Sequence, residues 1–333
     1  MLLRPLLLIP AIFFATHLPA CAQAKSCKVV DLMPAYWSAV ESSKTETPAQ
    51  KVLTFRHALN LDHTDLYSAT GIGFASTTDL DLAILTSMAS VQRHDAAIHG
   101  IATRLRDELP AHMAAFQRTF PDFRCNFTIY LAPSLGKLDG AGRIVDGHPA
   151  LVFGVDNISE EFSDSGLNLS VFLDHEIFHR YHEQVAGFSD DKGDQEQIGR
   201  ALWAEGLATY ISMKMNPPAT LQDALFIPSD LIARAQPLLP SLIAQLEPKL
   251  DQADPELFHR FFSYHHYDTG VPSRSGYYIG ALAAARMAEG NSMLDMAHMD
   301  GVVIQRRLPQ ILRELGAPAI PGEDGSKSKA RTK

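Results

Sequence analysis

Two histidines and a glutamate at helical spacing are the residues of this sequence best suited to chemistry. The segment Asp174–His179 contains the pattern His-Glu-x-x-His, inside an apolar-periodic run, 167–185, that is predicted to be helical. At 3.6 residues per turn, His175 and His179 lie about 40° apart around the helix axis and one turn apart along it. Both imidazoles can therefore reach one zinc ion at about 2.0–2.1 Å. Glu176 is rotated by about 100° from His175 and can address a water bound to that ion.

A catalytic zinc ion needs a third protein ligand and an open fourth position. His182 is on the same helical face, but seven residues of helix place it about 10 Å along the axis from His175. We therefore expect His182 to be solvated or to support the ligands without touching the ion. The metzincin class would need glycine at 182 and histidine at 185, so His182 and Val185 exclude that class.

Glu205 is the better candidate for the third ligand. It lies 26 residues after His179, within a segment, Leu202–Tyr210, that is predicted to be a second helix with apolar residues on most sides. A lone carboxylate in apolar surroundings is costly unless it is paired or bound to a metal. Gly206 and Ala208 are small enough to let this helix pack closely against the helix of the histidines. The alternative is an exposed glutamate on a helix surface.

These motifs resemble those of the gluzincin metallopeptidases. More narrowly, the pattern at 175–179 followed by Trp203–Tyr210 resembles a bacterial family of predicted zinc-dependent proteases with a helical core, formerly classed as a domain of unknown function. The segment Ser275–Gly280 is similar to the Gly-Tyr-x-x-Gly element near the end of that domain, and the resemblance covers about residues 77–290. It implies a zinc-dependent hydrolysis of peptide bonds in peptides or proteins.

The resemblance also implies a role for each matching residue. The implied zinc ligands are His175, His179 and Glu205, and Glu176 is the implied general base. Tyr277, or its neighbour Tyr278, would donate a hydrogen bond to the oxyanion; the alternative for this pair is aromatic packing in a core helix.

Strand and helix patterns predict the elements around these motifs. A helix is expected over Met33–Glu41, and a helical region over Thr77–Phe120 with Thr78 or Asp79 as its cap and Pro110 as a break or second start. Strands are expected at Phe127–Leu131 and Ala150–Val155, on either side of a glycine-rich passage. The second strand is expected either to offer an edge to extended substrate, as in related enzymes, or to lie in the core.

The predicted fold class is therefore α+β, with a small mixed or antiparallel sheet followed by a mainly helical, zincin-like catalytic core. Residues 25–165 form the helical and sheet part and 166–316 the helical zinc-binding part, and a tail at 317–333 is expected to be disordered.

The N-terminus has the pattern of a secretory leader. Residues 1–24 contain one basic residue, an apolar run and a small-x-small site, Ala22–Ala24, that would release a chain starting at Lys25. Two alternatives are a lipobox at Leu18–Cys21, with a lipid anchor on Cys21, and a buried N-terminal helix. The leader predicts an exported protein, either periplasmic or secreted or anchored as a lipoprotein. In an oxidising compartment Cys27 and Cys125 could pair.

Composition and the remaining motifs narrow the function further. A net charge of −9 over 333 residues argues against nucleic acid as a partner. Zinc hydrolases that use a cysteine ligand do not fit, because no cysteine lies near the histidine motif. The alternative to a peptidase is an exported, non-catalytic zinc-containing binding or chaperone-like protein, but structural zinc sites usually have four protein ligands. Arg274 is a candidate for binding a substrate carboxylate, and Tyr264–Asp268 is expected to be a polar loop that could alternatively line the cleft or hold a second metal.

Overall fold

The computed structural model describes residues 27–60, 65–161, 168–188, 193–264, 268 and 270–317. The strands are β1 Lys28–Asp31, β2 Thr128–Ala132, β3 Gly140–Val145 and β4 His148–Gly154. The helices are α1 Met33–Ser42, α2 Pro48–Asn60, α3 Ala69–Ile72, α4 Thr77–Thr119, α5 Val155–Glu161, α6 Leu169–Ala186, α7 Ile198–Met215, α8 Leu221–Leu225, α9 Leu231–Ala235, α10 Leu239–Leu246, α11 Pro255–Phe262, α12 Ser275–Met287, α13 Met293–Ala297 and α14 Gly301–Gly316. The α+β class with a small sheet before a mainly helical part is confirmed.

The strands form one mixed sheet in the order β1-β2-β4-β3. β1, β2 and β4 run parallel, and β3 pairs antiparallel with β4. Three consecutive residues of β2, Ile129–Leu131, and three of β4, Leu151–Phe153, are all buried, although successive side chains of a strand point to opposite faces. Both faces of these strands are therefore covered, as their continuous apolar sequences require.

Two predicted strands correspond to β2 and β4, whereas β1 and β3 were missed. The expectation that Ala150–Val155 offers a free edge is wrong, because β4 is hydrogen-bonded to β2 on one side and to β3 on the other. The edge strand next to β4 is β3, which lies in the glycine-rich passage between the two predicted strands.

Helix α4 is continuous over 43 residues and contains Pro110. The predicted break is wrong because apolar residues on both sides of the proline, Leu105, Leu109 and Phe116 among them, are buried in one core and hold the two halves in line. The cap is Ser76 and not Thr78 or Asp79. Its hydroxyl accepts a hydrogen bond from the Asp79 backbone N–H at 3.2 Å and donates to the Asp79 carboxylate at 2.7 Å.

The second part of the chain packs its helices around α7, which contacts both α6 and α12. Every residue of α6 from Leu169 to His182 except Ser170 is buried, so this part of the helix is a core element. The side chains of α6, α7 and α12 that meet at their shared interface form the candidate site.

Several predictions fall on the chain ends and on gaps. The leader, the lipobox with Cys21 and the tail beyond Ala317 lie outside the described residues, as does most of Tyr264–Asp268. None of the described helices is both long enough and apolar enough to cross a membrane.

The Cα atoms of Cys27 and Cys125 are 5.2 Å apart and their sulfur atoms are within bonding distance, so the geometry permits the predicted disulfide.

Candidate metal centre

Helix α6 presents the two histidines of the motif to a single point. The helix starts after Asn168, whose side chain accepts from the Val171 backbone N–H at 3.4 Å, and ends at Gly187, whose φ of 67° suits glycine. His175 and His179 lie one turn apart between these ends, and both are buried. Their Nε2 atoms are 3.0 Å apart.

Helix α7 brings Glu205 to the same point. Its Oε2 atom is 3.4 Å from Nε2 of His175 and 3.3 Å from Nε2 of His179. Tetrahedral ligands at about 2.0–2.2 Å from zinc stand roughly 3.3–3.6 Å apart. Two sides of the observed triangle fall within this range and the third is slightly shorter, so the three atoms fit the geometry of a zinc ion. Among the described residues, this trio is the group of histidine, cysteine and carboxylate side chains able to hold a metal.

The charge states of these side chains also suit a metal. Burial lowers the pKa of His175 to about 4, so its imidazole is neutral at physiological pH. Burial acts to raise the pKa of the Glu205 carboxyl, but the neighbouring imidazoles of His179 and His175 outweigh it and hold that pKa well below its usual range. A neutral imidazole and an ionised carboxylate are the forms that bind metals.

Glu176 lies beside the trio and against the sheet. It is 8% exposed, and a Cβ atom added at Gly140 would lie 2.5 Å from its Cδ atom. The absence of a side chain at Gly140, the first residue of β3, therefore makes room for the Glu176 carboxyl group. The carboxylate is thus located where the edge strand begins.

Tyr277 is the tyrosine that faces the site. Its ring stacks over the His175 imidazole, with centroids 6.3 Å apart and planes 23° apart. Burial, followed by the charge of Glu205, raises the pKa of Tyr277 well above its usual value, so the phenol keeps its proton at neutral pH. Tyr278 is 4% exposed and lies in the core on the neighbouring side of α12. The geometry therefore favours Tyr277 over Tyr278 as a hydrogen-bond donor to a ligand.

No family model, curated protein or solved structure matches this chain. The resemblance to gluzincin metallopeptidases therefore stays a prediction from the sequence motifs at 175–179, 203–210 and 275–280.

Two glycines allow α12 to approach α7 closely enough for Tyr277 to reach the site. A Cβ atom at Gly206 would lie 2.1 Å from the carbonyl carbon of Gly280, and one at Gly280 would lie 2.2 Å from the Leu202 oxygen. The two helices therefore touch at their backbones, and any larger residue at either position would push them apart.

Of the two alternatives predicted for His182, solvation is wrong, because the residue is fully buried. Its ring stacks on Phe188 at 4.6 Å and contacts Phe178 at 5.3 Å. Neither ring nitrogen has a hydrogen-bond partner among the described residues, and burial lowers its pKa to about 3. It is not one of the three converging ligands, as the 10 Å helical separation predicted.

Sequence reasoning missed Gly140 and the edge strand that starts there. Only the glycine content of this passage entered the prediction, and the signal that could have revealed a hairpin is the Asp146-Gly147 pair between β3 and β4. Both residues have positive φ, as a two-residue hairpin turn between antiparallel strands requires, and Asp-Gly is a favoured sequence for such a turn.

Proposed function

We propose that this protein is an exported zinc-dependent metallopeptidase that hydrolyses peptide bonds with Glu176 as the general base. The observation that carries the proposal is the triangle formed by His175 Nε2, His179 Nε2 and Glu205 Oε2, with sides of 3.0, 3.4 and 3.3 Å. Two histidines and one carboxylate are the ligand set of many catalytic zinc sites, which leave the fourth position for water or substrate.

The surrounding residues supply the other groups that peptide hydrolysis needs. A zinc ion bound by the three ligands would polarise the scissile carbonyl and lower the pKa of a bound water. Glu176 accepts the proton of the attacking water and passes it to the leaving amine. Tyr277 keeps its O–H at neutral pH and donates a hydrogen bond to the carbonyl oxygen as negative charge develops on it.

The edge strand β3 supports a peptide as the substrate. Its antiparallel partner is β4, and no other described strand pairs with its second side. An extended peptide can add to such an edge through main-chain hydrogen bonds. Because β3 begins at Gly140 beside Glu176, a peptide bound along it would bring its backbone to the candidate metal centre.

Zinc content and peptide hydrolysis, measured on three variants, test this proposal. We expect the wild type to retain one zinc ion per chain after dialysis and to hydrolyse members of a peptide library. Glu176→Gln should keep its zinc and lose about 100- to 10,000-fold in kcat, the usual contribution of a general base. Glu205→Ala should lose the zinc. Glu289→Gln, on an exposed side chain beyond α12, is the matched control and should behave as the wild type.

Each outcome has a separate meaning. A wild-type protein that binds no zinc would refute the proposal as a whole. Equal hydrolysis by the wild type and Glu176→Gln would remove Glu176 as the base. A protein that keeps its zinc without hydrolysing any peptide would support the non-catalytic binding or chaperone-like alternative.

Export is the part of the proposal that rests on the leader pattern at residues 1–24. The proximity of Cys27 and Cys125 is consistent with an oxidising compartment. Expression of the full chain in a bacterial host, followed by fractionation and intact-mass measurement, tests it. A mature chain starting at Lys25 would support a cleaved leader, a lipidated N-terminus at Cys21 would support the lipoprotein alternative, and an uncleaved cytosolic chain would refute export.

A further inference from the structure

Arg274 occupies an unusual position beside the candidate metal centre. It is the residue that precedes α12, and its backbone has the left-handed conformation with φ 60° and ψ 17°. Its guanidinium carbon lies 4.0 Å from the centroid of the Tyr277 ring. A non-glycine residue in this conformation is strained and is found where the surroundings impose it, often at ligand-binding sites.

The guanidinium of Arg274 is partly buried and, apart from the Tyr277 ring, has no protein partner among the described residues. Its Nε atom is buried without a hydrogen bond, and no carboxylate in the described part of the chain forms an ion pair with it. The other partly buried arginines of the second half differ, since Arg260 pairs with Asp268 and Arg200 with Glu196. A partly buried guanidinium without a carboxylate partner keeps an uncompensated charge, which favours an anionic group of the substrate at this site.

The position of Arg274 limits where that anionic group can be on a peptide. The guanidinium carbon is 4.0 Å from the Tyr277 centroid, and that centroid is 6.3 Å from the His175 centroid. The distance from the guanidinium carbon to the centroid of the His175 ring is therefore at most the sum of these two distances. Since an extended chain advances about 3.3–3.6 Å per residue, the group must lie within roughly three residues of the scissile bond.

We propose that Arg274 binds a carboxylate of the substrate and makes this protein selective for peptides with a carboxylate close to the scissile bond. The proposal rests on the proposed peptidase function. The carboxylate is either the C-terminal α-carboxylate, which would make the enzyme cleave near chain ends, or an Asp or Glu side chain. A guanidinium can hold either group with two parallel hydrogen bonds.

Two pairs of matched peptides distinguish these sources. In the first pair the peptides differ only in a free or amidated C-terminus; in the second, both are amidated and carry Glu or Gln within three residues of the scissile bond. Binding of uncleaved peptide to the Glu176→Gln protein is measured by fluorescence anisotropy, and kcat/KM is measured with the protein that retains Glu176. Each measurement is repeated with Arg274→Gln, with Arg274→Lys and with Arg286→Gln, a control on an exposed arginine of the same helix.

We expect a preference of about 10- to 100-fold for the carboxylate member of at least one pair, as charge-assisted hydrogen bonds typically provide. Arg274→Gln should reduce that preference below threefold, Arg274→Lys should keep part of it, and Arg286→Gln should leave it unchanged. Circular dichroism checks that each variant is folded, and the lysine variant provides the test should the glutamine variant unfold.

Two results would overturn the proposal. One is the absence of a preference for the carboxylate peptide in both pairs. The other is a preference that is unchanged in Arg274→Gln. An equal loss of activity on both members of a pair counts as this second result, because it leaves the preference unchanged. A wild type that holds zinc and cleaves peptides without either preference would refute the role of Arg274 alone. A wild type without zinc or hydrolysis would instead refute the peptidase function.

Discussion

The two glutamates of the candidate site differ in what surrounds them and therefore in what they can do. The Glu205 carboxylate lies 3.3 Å and 3.4 Å from two imidazole nitrogens, in the position of a ligand. Glu176 is outside this triangle and lies against Gly140, where the edge strand starts. In the proposed function, the carboxylate at the ligand position would hold the metal, and the one beside the edge strand would move a proton.

Much of the candidate metal site could be predicted from single residues and their spacing in the sequence. The His175 and His179 spacing determines their common face, because both belong to one helix and local geometry suffices. Glu205 required one further argument, the cost of a lone buried carboxylate. His182 was only half predicted: its distance from the ligands follows from helix geometry, whereas its burial depends on Phe188, which the chain brings back from beyond the end of α6.

His182 makes a pH-dependent contribution to stability that can be isolated. An unfolded histidine has a pKa of about 6.5, and burial lowers the pKa of His182 in the fold to about 3. Between these values the unfolded chain binds a proton that the folded chain does not. Lowering the pH from 6.5 towards 3 therefore destabilises the fold through this group by about 1.4 kcal/mol per pH unit, and above pH 6.5 the group has no such effect.

The variant His182→Phe should lose less stability as the pH is lowered. Phenylalanine fits between Phe178 and Phe188 and cannot take up a proton. Urea unfolding at pH 7, 6 and 5 measures the free energy of unfolding, and the slope against pH should be smaller in the variant. His148→Gln, on an exposed side chain, is the control and should keep the wild-type slope. Equal slopes for wild type and His182→Phe would show that His182 does not remain neutral in the fold.

At the scale of elements, the site depends on how closely α7 and α12 cross. Gly206 and Gly280 meet at the crossing, and this contact brings Glu205 and Tyr277 to the same cleft from neighbouring positions in their helices. The motifs Glu-Gly and Tyr-x-x-Gly are therefore parts of one packing arrangement. In both motifs the glycine sets the distance between the two helices. Glu205 is adjacent to its glycine, Gly206, and Tyr277 lies about one helical turn before Gly280.

The variant Gly280→Ala tests this arrangement. Its Cβ atom would lie 2.2 Å from the Leu202 oxygen, so the helices must separate, and overpacking of this kind costs roughly 1–3 kcal/mol. We expect a lower free energy of unfolding and a lower kcat, because Tyr277 moves with α12. Gly100→Ala is the matched control, since Gly100 is an exposed residue of α4 with open space around it. That change should stabilise the protein by about 0.5–1 kcal/mol, as for glycine in a helix interior. A Gly280→Ala protein as stable as the wild type would contradict the close crossing.

Elements that depend on long-range pairing were the ones that sequence reasoning missed. β1 has only four residues, and its strand conformation comes from hydrogen bonds to β2, which follows about 100 residues later. β3 contains two glycines and indicates a loop by local propensity, yet its pairing with β4 extends from Gly140 to Val145. In α4 the sequence predicted a break at Pro110 that the structure does not have. Core packing on both sides of Pro110 outweighs the local cost of proline in a helix.

At the scale of the whole molecule, residues that are far apart in sequence must be held in one place. Gly140, Glu176, Glu205 and Tyr277 come from four separate elements, β3, α6, α7 and α12. The hydrophobic core is continuous from the first helix to the last one described, so the sheet and the helical part share it. Because of this, a change that loosens the N-terminal half also affects the support of the candidate site.

The Cys27–Cys125 pair is the covalent element of that support, and its contribution can be measured. A disulfide here would join the residue before β1 to the segment before β2 and close a loop with a sequence separation of 98 residues around α1–α4. Loops of that length lose much conformational freedom in the unfolded chain when cross-linked, so reduction should lower the free energy of unfolding by about 2–5 kcal/mol. Urea unfolding with and without reductant measures the difference, and the variant with both Cys27→Ser and Cys125→Ser should not respond to reductant. A mature chain without Cys21 should then show no free thiol when denatured without reductant. Two free thiols in protein purified from an oxidising compartment would refute the bond, and β1 would be held to β2 by hydrogen bonds and packing alone.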